Sequence, residues 1–126
     1  MRAVDTNVLV RLFARDDAQQ TACAEDFIEN GAWVSIPALI ELLWVLSSAY
    51  GKRPADLMTT IEMLLKHRQL VVQDAEAVAA ALDLFRARPA LGFNDCLILH
   101  VAIKAGHLPL GTFDRKLAIV EGAHKL

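Results

Sequence analysis

The chain has 126 residues, 55% of them hydrophobic and 22% charged, and a formal net charge of −2. That length and apolar content suit one domain, residues 1–126, with a substantial core. Glu41, Asp95 and Lys104 cut the longest apolar runs well short of the roughly 20 residues that span a bilayer, and an acid at position 5 breaks any signal-peptide layout. A cytoplasmic protein with no membrane segment is therefore expected.

The elements follow in chain order. Residues Arg2 to Val4 read as a short strand and Asp5-Thr6-Asn7 as a helix start, with Val8 to Phe13 as the helix. Asp16-Asp17 interrupts, a second helix runs from Gln19 to Glu29, and Asn30-Gly31 stops it. Trp33 to Ile36 is β-prone, and Pro37 opens a helix that Gly51 closes after Tyr50. Pro54 to Lys66 repeats the proline-first design, Leu70-Val71-Val72 supplies a third strand, and a helix extends from Asp74 to Arg88. Pro89 and Gly92 mark a loop, Asn94-Asp95 open a helix to Ala105, and Pro109 to Thr112 is a fourth strand. A last helical piece covers Arg115 to Val120, and residues 121–126 are either an edge strand or a frayed tail. Strands alternating with helices predict an α/β fold with a mainly parallel sheet and helices on both faces. In such folds functional groups gather beyond the carboxyl ends of the strands.

Four acids occupy such places. Asp5 follows the first strand, Glu41 lies one turn into the helix after the second, Asp95 opens the helix before the fourth, and Asp114 comes just past the fourth. Asp5, Asp95 and Asp114 each suit a helix cap or first turn, worth on the order of 1 kcal/mol. Glu41 is the only ionisable residue between Pro37 and Leu46. Its helix is apolar on nearly every side and is expected to be buried. A buried Glu41 must be protonated, hydrogen-bonded, metal-bound, or salt-bridged to Arg11 or Lys104. If the acids converge, their repulsion opposes ionisation unless a divalent cation is present, and an all-carboxylate set suits Mg2+ or Mn2+ rather than zinc. His67, His100, His107 and His124 read as surface or structural histidines, and Cys23 and Cys96 as buried thiols. The negative net charge argues mildly against a generic nucleic-acid binder. Arg11, Arg15, Lys52, Arg53, Arg86, Arg88, Arg115 and Lys116 remain as candidates for local basic patches.

Asp5-Thr6-Asn7-Val8-Leu9, Pro37-x-x-x-Glu41-Leu42, Phe93-Asn94-Asp95-x-x-Ile98 and Thr112-Phe113-Asp114-x-x-Leu117 resemble, in order and spacing, the four acidic motifs of PIN-domain nucleases. The resemblance covers essentially the whole chain. It implies a three-layer α/β/α sandwich and hydrolysis of RNA phosphodiesters with Mg2+ or Mn2+. In the compact bacterial members it further implies a VapC-type toxin of a type II toxin–antitoxin system, inhibited by a VapB-like antitoxin. Carried over by position, Asp5, Glu41, Asp95 and Asp114 match the catalytic acids. Asp5, Asp95 and Asp114 are the expected metal ligands, and Glu41 is a ligand or the base that orients the attacking water. Thr6, Asn7 and Thr112 match polar residues around the site, and Asn94 stands where many relatives have a small residue or another acid.

Three other readings compete. A haloacid-dehalogenase-like phosphatase also places an acid after the first strand, but needs a second where Asn7 stands and a threonine where Leu9 stands. A receiver domain wants an acidic pair at the first strand's end and a late lysine, neither of which is evident. A catalytically silent module would use the apolar helix 37–50, with Trp33 and Trp44, to dimerise or bind RNA. Glu41 is the residue such a helix has no reason to carry. A homodimer is expected with or without catalysis.

Overall fold

The strands are short and each hands the chain to a helix. In a computed structural model describing residues 1–126, β1 (Arg2–Ala3) leads to α1 (Thr6–Ala14) and α2 (Ala18–Ile28). Next come β2 (Ala32–Val34), α3 (Ile36–Tyr50), α4 (Pro54–Lys66) and β3 (Leu70–Val72). A second series follows: α5 (Ala75–Ala87), a 3-10 turn at Pro89–Leu91, α6 (Phe93–Ala105), β4 (Leu110–Thr112), α7 (Arg115–Ala118) and β5 (Ala123–Lys125). By internal contacts the chain divides into two compact units, Met1–Ala75 and Glu76–Leu126.

In the first unit β2 is central and pairs in parallel with β1 and β3, Arg2 opposite Ala32 and Ala32 opposite Leu70. The Val4 N–H donates to the Trp33 carbonyl at 3.1 Å, which carries the β1 pairing up to Asp5. Ala32 and Val34 are buried on one side while Trp33 points outward, the period-2 alternation of a strand. Helix α1 packs against both α2 and α3, and α4 against β3. The Gln73 side chain accepts from the Ile36 N–H at 2.9 Å, tying the start of α3 to the end of β3.

Helix α3 departs from the expectation of burial. It buries a single stripe, Ala38, Leu39, Leu42, Leu43 and Leu46. The opposite face carries Glu41, Trp44 and Ser48, all exposed. These recur at i, i+3 and i+7, which places them on one side of a 3.6-residue helix. Ser35 caps its start by accepting from the Ala38 N–H at 3.2 Å, and Gly51 ends it in the left-handed region at φ +64°.

In the second unit β4 and β5 pair in parallel, Leu110 opposite Ala123, so residues 123–125 of the tail form a strand. Every strand pairing in the chain is parallel, as the α/β reading requires. Helix α5 buries Ala77, Val78, Ala81, Leu82 and Phe85. Phe85 meets Phe93 of α6 edge to face, with ring centroids 6.0 Å apart, a favoured aromatic geometry. The 3-10 turn touches both α6 and α7. No helix is long and apolar enough to cross a membrane.

Candidate active site

Asp5 and Glu41 are delivered by neighbouring strands of one parallel sheet. Asp5 follows β1 and caps α1, its Oδ1 accepting from the Thr6 N–H at 2.7 Å. Thr6 is buried and Asn7 exposed. Glu41 follows β2 by way of α3 and is exposed, which removes the reasoning that a buried helix must neutralise it. Its proposed partner Arg11 instead bonds Asp16, which also accepts from the Tyr50 hydroxyl at 2.7 Å. Those two donors hold the Asp16 carboxyl below its ordinary range, the tyrosine bond contributing most.

Asp95 and Asp114 belong to the second unit and are brought within electrostatic reach of each other. Gly92 begins α6 at φ +78° and ψ +149°, a conformation that essentially only glycine adopts, and offers no side-chain cap. Phe93 then anchors the first turn in the core, so Asp95, two residues on, is held half-buried. Burial raises its pKa first, and the charge of Asp114 raises it further. Asp114 is exposed and caps α7: its Oδ1 accepts from the N–H groups of Lys116 at 2.8 Å and Leu117 at 3.1 Å. Thr112 supports it, Oγ1 accepting from the Asp114 N–H at 3.0 Å. Asn94 is exposed beside Asp95.

Asp5 and Asp114 are thus caps, while Asp95 is a first-turn acid with no capping bond. No group of three or more His, Cys, Asp or Glu side chains is placed to hold a metal ion. The Asp95–Asp114 pair does fit the hard cation expected. Mg2+ needs only one or two carboxylates besides water and substrate phosphate, and repulsion between two carboxylates is what a divalent charge relieves.

The cysteines differ from the expectation that both are buried. Cys96, next to Asp95, is fully enclosed, and burial followed by the Asp95 charge pushes its thiol up to about 11. It is therefore protonated and unreactive at neutral pH. Cys23 is exposed, lining a groove between α1 and α2 with Asn7, Arg11 and Phe27. Its apolar neighbours in sequence hid this, because α2 is a weakly apolar helix that buries only Thr21, Ala24 and Ile28.

The PIN domain family profile matches residues 2–123, and the chain belongs to that family. The PIN domain is a nuclease fold, a three-layer α/β/α architecture with a parallel sheet, and the expected fold class holds. No curated protein and no solved structure matches the chain.

Proposed function

We propose that this PIN-domain chain is an endoribonuclease that hydrolyses RNA phosphodiesters with Mg2+ or Mn2+, and that it is the toxin of a VapC-type pair held in check by a VapB-like antitoxin. The observation that carries the nuclease reading is Asp95: a half-buried carboxylate, raised in pKa by burial and by Asp114, in a chain of a nuclease family. A structural acid gains only the favourable helix-dipole interaction there, against the cost of desolvation and a like charge, whereas a ligand for a hard cation has that cost relieved by the ion. The toxin and antitoxin assignments rest on the resemblance of the four motifs to compact bacterial members.

Asp95 and Asp114 are the proposed ligands within the second unit; the motif resemblance alone supports the proposal of Asp5 as a third ligand and of Glu41 as a ligand or the base that orients water. A bound divalent ion would supply a Lewis acid for a phosphate oxygen and lower the pKa of water at neutral pH. The chain's own part is to fix its carboxylates: α6 fixes Asp95 through Gly92 and Phe93, and the backbone N–H groups of α7 fix Asp114. Thr6 and Asn7 beside Asp5, Asn94 beside Asp95, and Thr112, whose Oγ1 accepts from the Asp114 N–H, are the proposed polar supports of these acids.

The exposure of Glu41 removes it as the residue that discriminates catalysis from pure packing. Trp44, 68% exposed one turn further on, supports an interaction surface on α3 and hence a homodimer. Metal binding separates the readings. Millimolar Mn2+ raises the melting temperature of the nuclease, and Asp95→Asn removes that rise. A silent module gives no rise with Mn2+, in the parent or in Asp95→Asn.

A further inference from the structure

Of the five phenylalanines, Phe85 and Phe93 are buried, Phe13 and Phe27 are half-buried, and Phe113 leaves 78% of its surface in water. It stands between β4 and α7, immediately before Asp114. The backbone on either side is pinned. Thr112 Oγ1 accepts from the Asp114 N–H, the Thr112 carbonyl accepts from the Leu126 N–H at 3.0 Å, and Asp114 is tied to Lys116 and Leu117. A ring displayed from a fixed backbone has only its own two side-chain torsions left to order on binding.

Its neighbours in the chain are polar or charged: Thr112 half-buried, Asp114, Arg115 and Lys116 exposed. On α6, Ile98 is 53% exposed and lies one turn beyond Asp95 on the same face. Each acid of the pair therefore has an exposed apolar side chain beside it, and two cations follow directly. An exposed aromatic ring followed in the chain by two exposed cations suits a nucleobase and its phosphates, while a protein interface favours a core from which charge is depleted.

We propose that Phe113 is a specificity residue that stacks on an unpaired nucleobase next to the phosphodiester to be cut, with Arg115 and Lys116 pairing the adjoining phosphates. This rests on the ribonuclease reading of the same site. The stack needs a base with a free face, which an unpaired segment offers and a duplex does not, because bases within a duplex are already stacked on each other.

The test is steady-state cleavage of a fluorescein-labelled single-stranded RNA of mixed sequence in Mg2+, with folding of each variant checked by circular dichroism. Phe113→Ala is expected to raise KM by about 10-fold or more, in line with the loss of one base–aromatic stack, with kcat little changed. Phe113→Trp restores KM and Phe113→Leu does not. Abasic substitution beside the cut raises KM for the parent but not for Phe113→Ala. An unchanged KM in Phe113→Ala, or full rescue by leucine, overturns the stacking role while leaving the ribonuclease reading intact. An unchanged KM together with conversion of a dimer to a monomer would identify Phe113 as a protein contact instead. A parent that cleaves no RNA with Mg2+ or Mn2+ ends both readings.

Discussion

At the scale of single residues, Asp95 and Asp16 show opposite electrostatics. Asp16 receives a tyrosine hydroxyl and a guanidinium, so its folded pKa lies below its unfolded one. The stability it contributes is present above the unfolded value and is lost as pH falls through the folded one. Asp95 is desolvated beside a like charge, so its folded pKa lies above its unfolded one. Between those two values the folded chain binds more protons than the unfolded chain, and stability falls as pH rises. Asp95→Asn is therefore expected to stabilise the metal-free protein at neutral pH, by about 0.5 kcal/mol given the solvent screening of a half-buried group. The gain disappears toward acid pH, where the native carboxyl is itself protonated. Urea unfolding of both proteins across that range checks it, and a gain independent of pH would contradict the assignment. The positions of the four candidate acids were legible in sequence, because each follows a strand or opens a helix. Which of them interact was not: burial beside Asp114 depends on packing by Gly92 and Phe93, and exposure of Glu41 depends on the angular position of one residue in an apolar helix.

At the scale of elements, boundaries were most legible where backbone chemistry sets them. Helix α4 runs from Pro54 to Lys66 as expected, since proline suits a first turn and Asp56 accepts from the Arg53 N–H at 2.9 Å to close the start. The strand Leu70–Val72 also falls where expected, because a β-branched pair follows a turn. The tail was ambiguous in sequence because Ala-His-Lys has no strand signature. It becomes β5 only through its pairing with β4, a tertiary effect on a weak local preference. The face of α3 was misjudged because apolar content was high all round and Glu41 interrupts it only once. A conformational signal that sequence does carry is Gly51. It adopts φ +64°, and a Cβ added there would meet nothing within 4 Å. Gly51→Ala should then cost about 1 kcal/mol from the left-handed backbone alone, with no steric part. Thermal unfolding checks this, and a cost several times larger would contradict an open turn at Gly51.

At the scale of the whole molecule, the family profile runs through both compact units, from residue 2 to residue 123, so the four acidic motifs fall inside a single PIN domain match. The fold class was legible from the alternation of strands and helices, and the family from motifs spread along nearly the whole chain. The most direct measurement of the central claim is cleavage of RNA by the purified chain, with Mg2+, with Mg2+ plus excess EDTA, and after Asp95→Asn or Asp114→Asn. Cleavage in Mg2+, its loss on chelation, and a fall on the order of 100-fold or more in either variant with the fold retained are expected. Undiminished cleavage in EDTA, or in both variants, would contradict the account.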